Sequence, residues 1–197
     1  VDILYMHRDV NGMDLEEPLR AIDAMLRAGK IRYWGVSNFR GWRIAEIMRI
    51  AGQMGMPGPT VCQPYYNLLN RMPEVEILPA CDHYGIGVTS YSPVARGVLT
   101  GKYAPGQAPA EGTRAARGDK RMSETEFREE SLVIAQTLKA HAQAKGITLA
   151  QFVARAQCHD HLVIRLGLAD TIDGGDGGHN HHIAPLQDAL GAGQPHL

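Results

Sequence analysis

Short apolar runs recur through the first half of this chain, each closed by a polar or aromatic residue. They cover residues 3–7, 31–37, 60–63 and 87–91, so their ends at His7, Ser37, Gln63 and Tyr91 lie 30, 26 and 28 residues apart. A period of this size is one strand plus one helix. The runs are apolar throughout rather than alternating, which is the pattern of parallel strands covered on both faces. Helical periodicity fills the gaps. Leu19, Ile22 and Leu26 follow a capping box at Asp14 and Glu17 and stop at Gly29. Ile44, Ile47, Met48 and Ala51 stop near Gly55, and Ile77, Cys81 and Tyr84 stop at Gly85. A fourth helix is predicted from about Ser123 to Lys145, stopping at Gly146, and a fifth from Thr148. Strands joined by single helices build βαβ units and a parallel sheet, the α/β class. A doubly wound sheet and a (β/α)8 barrel both fit, and both bind ligands beyond the carboxyl ends of their strands.

That rule singles out the run ends. His7 follows Ile-Leu-Tyr-Met, Ser37 and Asn38 follow Tyr-Trp-Gly-Val, Gln63 follows Val-Cys, and Tyr91 and Ser92 follow Gly-Val-Thr-Ser. They are expected to converge on one rim. A lone histidine at a strand end is more often a hydrogen-bonded structural residue, and Ser37-Asn38 could serve as an ordinary helix cap. Residues 103–122 form a long loop rich in Pro, Gly, Ala and Arg, a length associated with lids and mobile segments.

Composition excludes several classes. The formal charge is −1 and the pI about 6.8, which argues against a nucleic-acid or anionic-membrane footprint. No apolar run approaches the roughly 20 residues of a membrane span. The opening VDILYMHRDV has no basic start of a signal peptide. Three cysteines, Cys62, Cys81 and Cys158, are widely spaced and odd in number, which fits free thiols in a reducing cytoplasm. From Cys158 the character changes. Lys145 is the last lysine, and six of the nine histidines fall after it in 159–197. The chain therefore divides into 1–158, carrying the strand–helix units, and 159–197, read as irregular. His179, His181 and His182 with Asp173 and Asp176 sit on a glycine-rich frame, whereas a physiological zinc site needs a stiff one, so no metal site is assigned.

Four stretches, VDILYMHR, GKIRYWGVSNF, QPYYNLLNR and SYSPVARGVLTGKY, closely resemble, in this order and spacing, the aldo-keto reductase superfamily. The resemblance is greatest to the branch that includes the β-subunits of voltage-gated potassium channels. It implies a (β/α)8 TIM barrel with NADP(H) extended across the carboxyl-end rim, of which this chain supplies strands 4 to 7. Residue by residue, His7 matches the histidine of the catalytic tetrad, which orients the substrate carbonyl. Ser37, Asn38 and Gln63 match the residues that hold the nicotinamide carboxamide. Tyr91 matches the aromatic stacked on the nicotinamide ring. Ser92, Val94, Arg96, Leu99 and Lys102 match the loop around the pyrophosphate. The chemistry agrees: Ser, Asn and Gln offer the donors and acceptors a carboxamide needs, and an aromatic face can hold a flat ring. Arg96 and Lys102 read equally well as solvated charges.

The tetrad's Asp, Tyr and Lys belong to the first three strand units, which this chain lacks. The chain opens at Val1 inside a strand-like run and is expected to be part of a longer protein whose preceding DNA encodes those units. Tyr5 is not expected to replace the acid, since it falls within a run that should be buried. The family's adenosine-phosphate motif after the eighth strand has no match. Residues 162–168 (LVIRLGL) could be a divergent eighth strand, and the tail reads either as a shifted reading frame near Phe152–Cys158 or as a divergent C-terminus. The expected function is NADPH-dependent reduction of small-molecule aldehydes or ketones, inactive in this partial chain. The alternatives are an NADPH-binding regulatory subunit and, last, a metal-dependent barrel hydrolase. With an open edge and an uncovered inner face, the chain is also expected to form homo-oligomers.

Overall fold

The structure, a computed structural model, describes residues 1–161. Four strands, β1 (Ile3–Met6), β2 (Tyr33–Ser37), β3 (Val61–Gln63) and β4 (Gly87–Val88), lie parallel in sequence order. Parallel neighbours need a crossover connection, and here each is a helix: α1 (Glu16–Arg27), α2 (Gly41–Met54) and α3 (Ile77–Tyr84). The α/β class and the four strand–helix units are those the repeat predicts. Gly55 and Gly85 close α2 and α3 with φ of 64° and 67°, the left-handed conformation that glycine adopts without penalty.

Side chains alternate along a strand, so the register sorts them into two faces. Trp34, Val36, Cys62 and Val88 point toward the helices and pack with Leu19, Ile22, Ile44, Ile47, Leu78 and Cys81 in one core. Trp34 is 1% exposed and donates its indole N–H to the Pro57 carbonyl at 3.0 Å. The opposite face carries Ile3, Tyr5, Tyr33, Gly35, Val61 and Gly87, brought level by the pairs Ile3↔Tyr33, Tyr5↔Gly35, Gly35↔Val61 and Val61↔Gly87. The runs were expected to be buried on both faces; on this face Gly35 and Val61 are buried as expected, whereas β1 and Tyr33 are not. Ile3 and Tyr33 are 44% and 54% exposed, because the three helices all cover the other side. Tyr5 is half-buried, not buried.

A second core packs the 3-10 segment Ala95–Thr100 against α5 (Glu129–Ala144) and α6 (Leu149–His161), with Val98, Leu99, Leu132, Leu138 and Val153 nearly or fully buried. The single helix expected from Ser123 to Lys145 is in fact two, α4 (Lys120–Thr125) and α5, broken over 126–128. The break turns Glu126 inward, where it is 3% exposed, and sets the Phe127 ring edge-on to Tyr103 at 5.2 Å. The long loop ends earlier than expected, at Asp119, whose carboxylate caps α4 by accepting the Met122 N–H at 2.9 Å. The start of α6 is a complete capping box: Thr148 N–H donates to Gln151 Oε1 at 2.9 Å, and Gln151 N–H to Thr148 Oγ1 at 3.2 Å. The expected eighth strand at 162–168, the histidine cluster and nearly all of the irregular tail lie outside the described residues.

Gly35 is fixed by sterics. A Cβ there would stand 2.5 Å from the Val61 carbonyl oxygen and 2.9 Å from the Tyr5 ring. We expect Gly35→Ala to lose about 1–3 kcal/mol in urea denaturation, the usual cost of overpacking. Gly52→Ala, whose Cβ meets nothing within 4 Å on α2, should gain up to ~1 kcal/mol from helix propensity. Equal midpoints for the two variants would contradict this account of the sheet.

Candidate functional site

The strand ends meet at one rim. Ser37, at the end of β2 and 3% exposed, donates its hydroxyl to the Gln63 carbonyl at 2.7 Å. Asn38 follows in the left-handed region at φ 59°. Its Nδ2 donates to the His7 carbonyl at 2.8 Å and to Ser37 Oγ at 3.0 Å, and its Oδ1 accepts the Tyr91 hydroxyl at 2.8 Å. One asparagine thus joins the ends of β1 and β2 to the segment beyond β4. The loop after His7 is pinned separately. Arg43 Nε lies 3.1 and 3.2 Å from the two Asp9 carboxylate oxygens, and Arg43 also donates to the Met13 carbonyl at 2.9 Å.

The segment from Ser92 to Gly101 is a tight, strained turn. Ser92, Ala95 and Arg96 have φ of 55°, 47° and 51°, values that non-glycine residues adopt at a cost of order 1–3 kcal/mol each. With Asn38 they are all the non-glycine positive-φ residues described, and such strain collects at functional sites. Asn67, fully buried, holds the turn by donating to the Ser92 carbonyl at 3.1 Å. Gln136 and Lys139 of α5 donate to the Gly101 carbonyl at 3.2 and 3.0 Å.

The residues singled out in the sequence divide by what their side chains do. Ser37, Asn38 and Tyr91 are joined in the network above. His7 is exposed and Gln63 half-buried, and neither side chain has a protein partner among the described residues. Lys102 is exposed, lies over Gly97 and sits 5.2 Å from the Tyr103 ring centroid. Ser92 and Val94 are half-buried on the turn. Leu99 is fully buried in the second core, backbone included. Arg96 directs its guanidinium to Glu126, with Nε 3.0 Å from Oε2. A carboxamide and a pyrophosphate would therefore find open capacity at Gln63, His7 and Lys102, and occupied partners at Ser37, Asn38 and Arg96. Among the described residues no three His, Cys, Asp or Glu side chains gather into a metal site.

Three residues of this site escape a sequence reading: Tyr65, Asn67 and Glu126. The Tyr65 ring stacks on Tyr91 with centroids 5.3 Å apart and 25° between planes, and its hydroxyl donates to Glu126 Oε1. Tyr65 and Asn67 lie inside QPYYNLLNR, where the motif drew attention only to Gln63. Glu126 carries no local signal. Burial, then the hydrogen bond to Glu126, pushes the Tyr65 hydroxyl up to about 12. Burial also raises Tyr5, with a smaller contribution from Cys62, which makes it a poorer proton donor near neutral pH.

Residues 1–155 match the Aldo/keto reductase family. A probable voltage-gated potassium channel subunit beta from Oryza sativa subsp. japonica is 38% identical over 159 residues, covering 80% of this chain and 48% of the relative. The Arabidopsis thaliana protein of the same name matches to the same extent. Aflatoxin B1 aldehyde reductase member 2 of Mus musculus is 40% identical over 103 residues, 52% of this chain and 28% of the relative. The chain thus spans about half the length of the first two relatives, at 48%.

The Tyr65 environment has a titration signature. Its hydroxyl should ionise near about 12, above the ordinary 10. Between those values the native state keeps a proton that the unfolded chain releases. This contribution to stability is therefore intact below pH 10 and falls as pH rises through about 12. Glu126→Gln should bring Tyr65 down, but not to 10, since burial remains. Tyrosinate absorbance resolves this, and a single wave near pH 10 for every tyrosine would contradict it.

Proposed function

The chain belongs to the aldo/keto reductase family, and from that premise we propose that it carries the cofactor-holding rim of an NADP(H)-dependent oxidoreductase acting on small aldehydes or ketones. The observation that carries the reading is the Asn38 junction, which ties three strand ends into one hydrogen-bonded edge beside a strained turn. The four strands correspond to strands 4 to 7 of a (β/α)8 barrel. NADP(H), when bound, supplies a hydride to the carbonyl carbon. Gln63, with an unpartnered amide, and Ser37-Asn38, by exchanging present partners, would hold the carboxamide. Tyr91 offers its ring face to the nicotinamide. Ser92, Val94 and Lys102 would border the pyrophosphate, with Leu99 and Arg96 acting there by shaping the turn from within. The exposed imidazole of His7 orients the carbonyl oxygen. Tyr5 lies within β1 rather than at the rim, and we propose that it does not supply the proton and that the chain by itself turns over no carbonyl.

The test uses the 197-residue chain. NADPH titration should show binding, weakened by up to about tenfold in Tyr91→Ala, the scale of a lost aromatic contact. Aldehyde turnover should stay far below ~1 s⁻¹. Absence of NADPH binding would overturn the cofactor reading, and turnover near that rate would show that the acid is present after all. A second reading, an NADPH-binding regulatory subunit, is favoured by the names of the two plant relatives. It requires binding without turnover in a longer protein that carries the preceding strand units as well.

The bare sheet face leads to a further expectation. Ile3 and Tyr33 pair in register and are 44% and 54% exposed, beside the free edge of β1. Exposed edges and apolar patches recruit other chains. The chain should self-associate through this face, and Tyr33→Lys should shift light scattering toward monomer. A monodisperse wild-type monomer would refute this. No described helix is long and apolar enough to cross a membrane. Cys62 and Cys81 are buried free thiols, and a hydrogen bond to Cys81, with burial, raises Cys62. These features are consistent with the cytoplasmic location we assign.

A further inference from the structure

Glu126 is nearly fully buried, yet its two carboxylate oxygens reach residues far away in the chain. Oε1 accepts the Tyr65 hydroxyl, 61 residues upstream, and Oε2 accepts Arg96 Nε, 30 residues upstream, with Thr125 Oγ1 also on Oε2. A buried carboxylate is costly unless it is paired and hydrogen-bonded, and here both conditions are met. Helix α4 stops at Thr125 and α5 starts only at Glu129, so the helical periodicity is interrupted where this side chain turns inward.

The partners decide what the carboxylate does. Tyr65 is held at its backbone by Asn70 Nδ2, which donates to the Tyr65 carbonyl at 2.7 Å, and by the bridge to Tyr91. Glu126 fixes its far end. A ring tethered at both ends presents one face, and Tyr91 stacks on that face. The Tyr91 hydroxyl is fixed in turn by Asn38 Oδ1. Arg96, the other partner, stands in the strained turn that begins at Ser92. One carboxylate thus anchors the ring behind Tyr91 and the turn beside it.

We propose that Glu126 is a positioning residue, which sets the Tyr91 ring through Tyr65 and the 92–101 turn through Arg96. Tyr65 forms the rear wall of the rim, so that Tyr91 keeps only one ring face available to a flat ligand. The inference adds to the reading of Tyr91 as the nicotinamide platform and rests on it for its functional meaning. The positioning itself is read from geometry.

The experiment compares the full chain with Glu126→Gln and Tyr65→Phe. Glu126→Gln leaves the Arg96 guanidinium beside a neutral amide and can cost the fold. Tyr65→Phe removes one hydroxyl, keeps the ring, and decides the question alone if the first variant does not fold. The first readout is the NMR shift of the Tyr91 ring protons, assigned with Tyr91→Phe. The stacked Tyr65 ring should displace them upfield in the wild type, and they should move toward free-tyrosine values in each folded variant. Thermal unfolding of Tyr65→Phe should stay within a few degrees of wild type. The second readout is NADPH affinity, expected to fall in Tyr65→Phe by up to about tenfold, as for Tyr91→Ala. Unchanged Tyr91 signals in the folded variants, with or without a change in melting, would overturn the proposal and leave Glu126 a purely structural anchor. Signals displaced in a wild-type chain that binds no NADPH, and moved in the folded variants, would uphold the positioning and refute only the cofactor reading.

Discussion

Parallel pairing governs this molecule. A parallel neighbour can be reached only by carrying the chain back across the sheet, and each return here is made by one helix on the same side. Every strand therefore ends at the same edge. His7, Ser37, Gln63 and Tyr91 lie far apart in sequence, yet they face one another for the same reason that Ile44 and Leu78 share a core. The constraint also explains the bare face. Helices on one side bury Trp34 and Val36 completely and leave Tyr33 exposed.

The rim is held by polar contacts rather than by packing. Asn38 bonds to three residues, and its left-handed backbone turns the chain from β2 toward α2 so that the side chain can do so. Asparagine tolerates that conformation better than most residues, because its short side chain bonds locally. Arg96 shows the other side of the same economy. A residue with a long side chain at φ 51° is disfavoured, and the ion pair with Glu126 offsets the strain. Its side chain is only 11% exposed, so this pair differs from a solvated surface bridge and is coupled to the turn's shape.

The sequence was most legible where local chemistry decides the structure. Gly55 and Gly85 end helices because left-handed closure suits glycine, and Thr148 starts one because it and Gln151 can exchange bonds. The ends of the first three strands were legible from the repeat to within a residue, whereas β4 stops at Val88 and not at Tyr91. The break between α4 and α5 was not legible, because its cause lies in Tyr65 and Arg96, and helical periodicity records only neighbours three and four positions away. The exposure of Ile3 and Tyr33, beside buried Gly35 and Val61, was misread for a related reason. An apolar run tells that a strand can be covered on both sides, not that a second layer is present. At Leu99 the motif named a position that belongs wholly to the second core.

These contacts divide the segment after β4 into fixed and free parts. Residues 92–101 are tied to Asn67, Gln136, Lys139 and Glu126, and farther along Ala115 packs on the second core and Asp119 caps α4. Between them, Tyr103 is buried, with Gln136 donating to its carbonyl at 2.6 Å, while Gly106 and Gly112 are exposed and turn at positive φ. A loop clasped at both ends can change shape only along its middle. The contacts that hold Tyr91 and the strained turn therefore do not depend on the middle of this segment. That arrangement is the one expected where a rigid scaffold holds a rim and a surface loop runs beside it.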